Sequence, residues 1–117
     1  MKRLLLLCLL VACKKQEAAP KQEQPVLPQL SAAEIQRSED ACKAYVDKVC
    51  ACAATVPAEQ QECGLAKALP DAVRIGIEVS QSPDSKKPDV LGAQDSVRKA
   101  VKTCIEHMAK LPSLGCP

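Results

Sequence analysis

The sequence predicts an all-α fold: a small, disulfide-stapled three-helix bundle running up, down and up, behind a disordered N-terminal tether. Three observations predict it. Apolar residues recur at helical spacing in three stretches, and no stretch of any length alternates as a strand does. The three stretches have similar lengths and short connections, which favours antiparallel neighbours. Six cysteines lie within or just past these stretches, downstream of an export signal that delivers them to an oxidising compartment.

The chain has 117 residues, enough for one small domain. It divides into residues 1–12, a signal peptide; residues 13–30, a tether; and residues 31–117, the folded domain. Met1-Lys2-Arg3 is a positively charged start. Leu4 to Ala12 is an uninterrupted apolar run. As a helix this run spans about 14 Å at ~1.5 Å per residue, under half of a hydrocarbon core of about 30 Å. It is therefore too short to cross a bilayer and has the length and flanks of a secretory segment.

Leu10-Val11-Ala12-Cys13 closes that run. The order of charge, apolar run and this tetrapeptide resembles the signal sequence and lipobox of bacterial lipoproteins. The resemblance covers residues 1–13 and implies cleavage between Ala12 and Cys13. It also implies a diacylglyceryl group on the Cys13 sulfur and an acyl chain such as palmitate on the new amine. Cys8 is the competing acceptor, but Leu7 precedes it and its apolar run is too short. In such proteins an Asp after the lipidated Cys retains the chain in the inner membrane. Here Lys14 and Lys15 follow, and the resemblance favours the outer membrane. Two anchoring signals hold a protein stably at ~0.8 kcal/mol per buried CH₂, whereas one acyl chain holds it only marginally.

Lys14 to Leu30 is rich in Lys, Gln, Glu and Ala around Pro20, Pro25 and Pro28. It shows no apolar periodicity and is too polar to bury itself. Its prolines favour an extended, semi-rigid chain that reaches at most about 50 Å. This segment reads as a spacer between membrane and domain.

Helix 1 is expected from Ser31 to about Ala53. Ser31-Ala32-Ala33-Glu34 is a capping box, with the Ser oxygen accepting a backbone N–H and Glu34 reaching back. Ile35, Cys42, Val49 and Val56 recur as one stripe, with Tyr45, Val46, Cys52 and Ala53 beside it. Helix 2 is expected from near Pro57, with Glu59 and Glu62 suiting its positive end and a kink or break at Pro70. Its apolar positions include Leu65, Ala66, Leu69, Ala72, Val73, Ile75, Ile77 and Val79. Gly64 and Gly76 are candidate points of close approach by a neighbour. Residues 83–88 read as a turn. Helix 3 is expected from Asp89, as its cap, to Lys110, with Val90, Val97, Val101, Cys104, Ile105, Met108 and Leu111 as its stripe.

Six cysteines allow fifteen pairings, and sequence alone does not choose among them. The bundle register narrows the list. Folding helix 2 back at Val56 brings level those residues whose numbers sum to about 113. Cys50 then meets Cys63, with Cys52 nearly as close. Helix 3 runs parallel to helix 1, which sets Cys104 near Cys42. Cys116, past the helix end, returns to the helix 1–2 loop. The register favours Cys42–Cys104, Cys50–Cys63 and Cys52–Cys116, and it also admits exchange of the last two. Cys50 and Cys52 differ by about 200° around a helix and so face different neighbours.

Composition excludes several functions. Removing Lys2 and Arg3 leaves equal numbers of basic and acidic side chains, so no basic footprint for nucleic acid remains. With one Tyr and no Phe or Trp there is no base-stacking platform either. The single His107 reads as a solvated surface residue, and no Gly-rich run or Ser/His/Asp constellation points to an enzyme. No metal or cofactor is called for. The expected function is a membrane-anchored envelope lipoprotein whose domain binds or scaffolds another envelope protein. Its contact with membrane lipid is the acylated Cys13. The alternative is a thiol-redox or Cu(I)-handling lipoprotein that uses Cys50 and Cys52.

Overall fold

A computed structural model describes residues 29–117; the lipobox Leu10–Cys13, Lys14, Lys15 and nearly all of the tether lie outside the described residues. The described part is all-α. Helix α1 spans Ala32–Ala53. A 3-10 turn, Pro57–Glu59, leads into α2 at Gln60–Ala66. Helix α3 follows at Ala68–Gln81, and α4 at Lys87–Lys110. A second 3-10 turn, Leu111–Leu114, ends the chain's regular structure. Together α2 and α3 form the descending leg of an up-down-up bundle, and α4 packs on both α1 and α3.

Helix α1 begins where the capping signal lies. The Ser31 side-chain oxygen accepts the Glu34 backbone N–H at 3.1 Å. The reciprocal half of the expected capping box is not made. Instead the Glu34 carboxylate reaches across to the Arg98 guanidinium at 3.1 Å. Cys42, Tyr45, Val49, Cys52 and Ala53 are buried, and Ile35, Val46 and Val56 pack at the margin of the same stripe. Leu30, assigned to the tether by composition, is 6 % exposed and belongs to the core.

The descending leg breaks at Lys67 rather than at Pro70. Pro70 occupies the third position of α3, where a helix has no intrahelical acceptor for the backbone N–H. The missing donor therefore costs nothing there, and the break moves one turn upstream. Helix α4 starts at Lys87, two residues before the expected cap. Asp89 sits in its first turn, where a carboxylate suits the positive helix end.

The parallel register of α1 and α4 is nearly constant. Cys42 meets Cys104 and Tyr45 meets His107 at a separation of 62 residues. Glu34 meets Arg98, and Cys52 meets Cys116, at 64. This offset carries the first two turns of α4 beyond Ala32, so there α4 leans on α3. The contact is tightest at Gly76: a Cβ built on it would lie 2.5 Å from Val97 Cγ2 and 3.2 Å from the Ala93 carbonyl oxygen. Gly64 has open space around it. Of the two glycines suggested by sequence, only Gly76 marks a close approach.

Candidate functional site

Three disulfides fasten the lower part of the bundle: Cys42–Cys104, Cys50–Cys63 and Cys52–Cys116. Cys104 closes α4 onto α1, and Cys63 closes α2 onto α1. Cys116 needs a reversal of the chain to reach Cys52. Gly115 supplies it, at φ 87°, a left-handed conformation that glycine adopts without steric cost. The Cys116 N–H then donates to the Leu111 carbonyl at 3.0 Å. Cys50 and Cys52 are bonded to different partners, which leaves no thiolate at either position in the oxidised chain. Among the described residues, no group of three or more His, Cys, Asp or Glu is placed to hold a metal ion. Nor is any helix there long and apolar enough to cross a membrane.

Between the staples lies a cavity of about 350 Å³, walled by Tyr45, Glu59, Glu62, His107, Leu111 and neighbouring residues. Tyr45 comes from the buried stripe of α1 and is 2 % exposed. Its ring meets the edge of His107, with centroids 5.7 Å apart and planes at 89°. The Tyr45 oxygen lies 3.3 Å from His107 Nδ1. With the imidazole proton on Nε2, the Tyr45 O–H donates to Nδ1. His107 is thus half-buried against the only tyrosine, not solvated as its sequence context suggests. Burial, reinforced by the charges of Glu62 and then Glu59, raises the Tyr45 phenol above its ordinary pKa.

Glu59 departs most from its sequence reading. Taken from the sequence as a surface charge at a helix start, it is only 6 % exposed. Its backbone N–H donates to Val56 at 2.9 Å, which holds the 3-10 turn and directs the side chain inward. Its Oε2 is buried with no hydrogen-bond partner among the described residues. Burying a carboxylate oxygen without a partner is costly, which makes Glu59 the least satisfied polar side chain among the described residues.

A second concavity, about 530 Å³, runs between α1 and α4 and includes Val101 and Ile105. Ile105, expected in the core stripe, is 57 % exposed here. The Glu34–Arg98 pair crosses this groove. Both partners are partly solvated, and such pairs contribute about 1 kcal/mol or less.

The half-open cavity gathers one phenol, one imidazole, two carboxylates and the exposed Lys110 beside apolar residues. That arrangement suits recognition of a group both cationic and apolar. Comparison with known proteins finds no matching family model, no matching curated protein and no matching solved structure.

Proposed function

We propose that this chain is an envelope lipoprotein, moored through acylated Cys13 and carrying a non-enzymatic helical binding or scaffolding module. One observation carries the reading: a positive start, a nine-residue apolar run and Leu10-Val11-Ala12-Cys13 follow one another in that order. The three disulfides of the domain support it, because such bonds persist in oxidising compartments outside the cytosol. The residues from Cys13 up to Leu30, which is itself in the core, act as the spacer that lifts the domain from the membrane. Lys14 in place of Asp after Cys13 supports an outer-membrane destination.

The test is intact mass of the processed protein together with membrane fractionation. The expected species starts at Cys13 and carries a diacylglyceryl group and an amide-linked acyl chain. A Cys13→Ala variant should leave the membrane fraction, and Lys14→Asp should shift the protein to the inner membrane. Cleavage elsewhere with an unmodified Cys13 would refute the anchor. Cross-linking in intact cells followed by affinity capture would identify the envelope protein it engages.

A further inference from the structure

We propose that the cavity between Tyr45, Glu59 and His107 binds the ammonium head of a small alkylamine, with Glu59 and Glu62 as counter-charges. Glu59 carries the inference. Its carboxylate is more than nine-tenths buried and has an oxygen without a hydrogen-bond partner. An ammonium group beside this carboxylate brings three donors and a positive charge, and it reaches the buried oxygen once the Glu59 side chain turns toward the cavity.

The charges of the wall agree. Glu59 and Glu62 face a single Lys110. Lys110 is exposed and makes no ion pair within 4.0 Å among the described residues. The cavity therefore keeps a net negative charge. Its other walls are aliphatic, with Leu111 and Leu114 beside the carboxylates. A bare metal ion has no use for such a surface, whereas an ammonium on an alkyl stem uses both halves.

The cavity is also built to keep its shape. Cys63, next to Glu62, is bonded to Cys50 on α1, and Cys116, just past Leu114, is bonded to Cys52. Walls fixed before binding lose little freedom on binding. The ammonium can belong to a free amine or to a lysine side chain of an envelope protein. This gives a ligand to the module proposed above and rests on that reading for its biological setting, not for its geometry.

The sequence supplies its own probe. Tyr45 and His107 are the only aromatic side chains in the chain, and both border the cavity. The oxidised full chain, isolated in a detergent without aromatic groups, is titrated with n-butylamine at constant pH while the aromatic proton NMR spectrum is followed. Saturable shifts of both rings are expected. Butanol, with the same stem and no charge, should produce none. Glu59→Gln should weaken binding on the order of tenfold, the loss of one charge-assisted hydrogen bond. Glu62→Gln should weaken it less, and it keeps the test alive if the Glu59 variant fails to fold. Tighter binding of N-acetyl-lysine amide than of butylamine would assign the head group to a protein lysine; the reverse order would assign it to a free amine. Absence of saturable shifts, equal shifts with butanol, or unchanged affinity in the folded variants would overturn the proposal. A lipidated chain that ignores butylamine refutes the cavity alone, and an unlipidated chain that binds it refutes the anchor alone.

Discussion

Replacing Gly76 with Ala tests how closely α3 and α4 approach. The new methyl would begin 2.5 Å from Val97 Cγ2 and 3.2 Å from the Ala93 carbonyl oxygen. Carbon atoms pack best at about 3.5–4.0 Å, so one helix must retreat by roughly 1 Å or Val97 must turn. Val97 is 1 % exposed and β-branched, so it has few rotamers to turn to. The Ala93 oxygen is backbone and moves only with α4. Overpacking of this kind costs about 1–3 kcal/mol. Against it stands the helix-propensity gain of Ala over Gly, about 1 kcal/mol. The expected net effect is destabilisation by about 1 kcal/mol. Gly92→Ala is the internal control. It sits within α4 with nothing within 4 Å of its Cβ position, so only the propensity gain remains. That variant should be more stable than the parent by about 0.5–1 kcal/mol. Guanidinium unfolding followed by far-ultraviolet circular dichroism, with disulfides intact, reads both. Equal stabilisation by the two substitutions would refute the close approach at Gly76. Val97→Ala should in turn remove most of the Gly76→Ala penalty, a coupling that a double-mutant cycle isolates.

Three further outcomes follow from the same structure. Reduction should unfold the domain: by loop entropy, Cys42–Cys104, which closes a 62-residue separation, contributes about 4 kcal/mol and Cys50–Cys63, at 13, about 3. Full helical circular dichroism in excess reductant at 37 °C would contradict this. The Tyr45 phenol is raised in the folded state, so the unfolded chain loses its proton first as pH rises. The stabilisation from Tyr45 is therefore complete below the ordinary tyrosine value of about 10 and declines as pH climbs from there through the folded value. Tyrosinate absorbance of the single tyrosine should show a midpoint above 10 while the chain is folded. Ser31→Ala should cost about 1 kcal/mol through loss of the 3.1 Å bond to the Glu34 N–H; an unchanged denaturation midpoint would show that the cap contributes nothing.

The fold class was legible because its signals are local. Ser31 caps α1 through side-chain chemistry that any three following residues would permit. The recurrence of Cys42 and Val49 marks a buried face by period alone. What periodicity does not give is how wide that face is. Leu65, Ile75 and Ile105 fall near apolar stripes and are nonetheless exposed. The sequence points to a break at Pro70 and the helix breaks at Lys67, because proline disrupts a helix only beyond its first turn and Pro70 lies within the first turn of α3. The cavity was the least legible part. Glu59 looks like any acidic residue after a proline, and only the fold-back of α2 shows it buried. His107 carried a usable signal that its neighbours masked. The separation that sets Cys104 beside Cys42 also sets His107 beside Tyr45, so the register placed the pair even though the polar surroundings of His107 suggested solvent.

The distribution of staples divides the domain into two regimes of stability. All six bonded cysteines lie in α1, α2, the second half of α4 and the tail, and none lies between Cys63 and Cys104. That interval contains all of α3, the connection to α4 and the first half of α4. No covalent link anchors it: it is held by packing, tightest at Gly76 against Ala93 and Val97, and by polar contacts such as the solvated Glu34–Arg98 pair. Cross-links raise the free energy of opening for the segments whose unfolded freedom they remove, and a hairpin outside them keeps the lower value. Native-state hydrogen exchange should therefore show α3 and the start of α4 opening as one unit below the global free energy, while amides near Cys42 and Val49 exchange only by global unfolding. Gly76→Ala should lower protection in the hairpin and leave that of central α1 nearly unchanged. If both regions exchange with a single free energy, or if the substitution lowers them equally, the α3–α4 hairpin is not a separate unit and the staples govern the whole bundle.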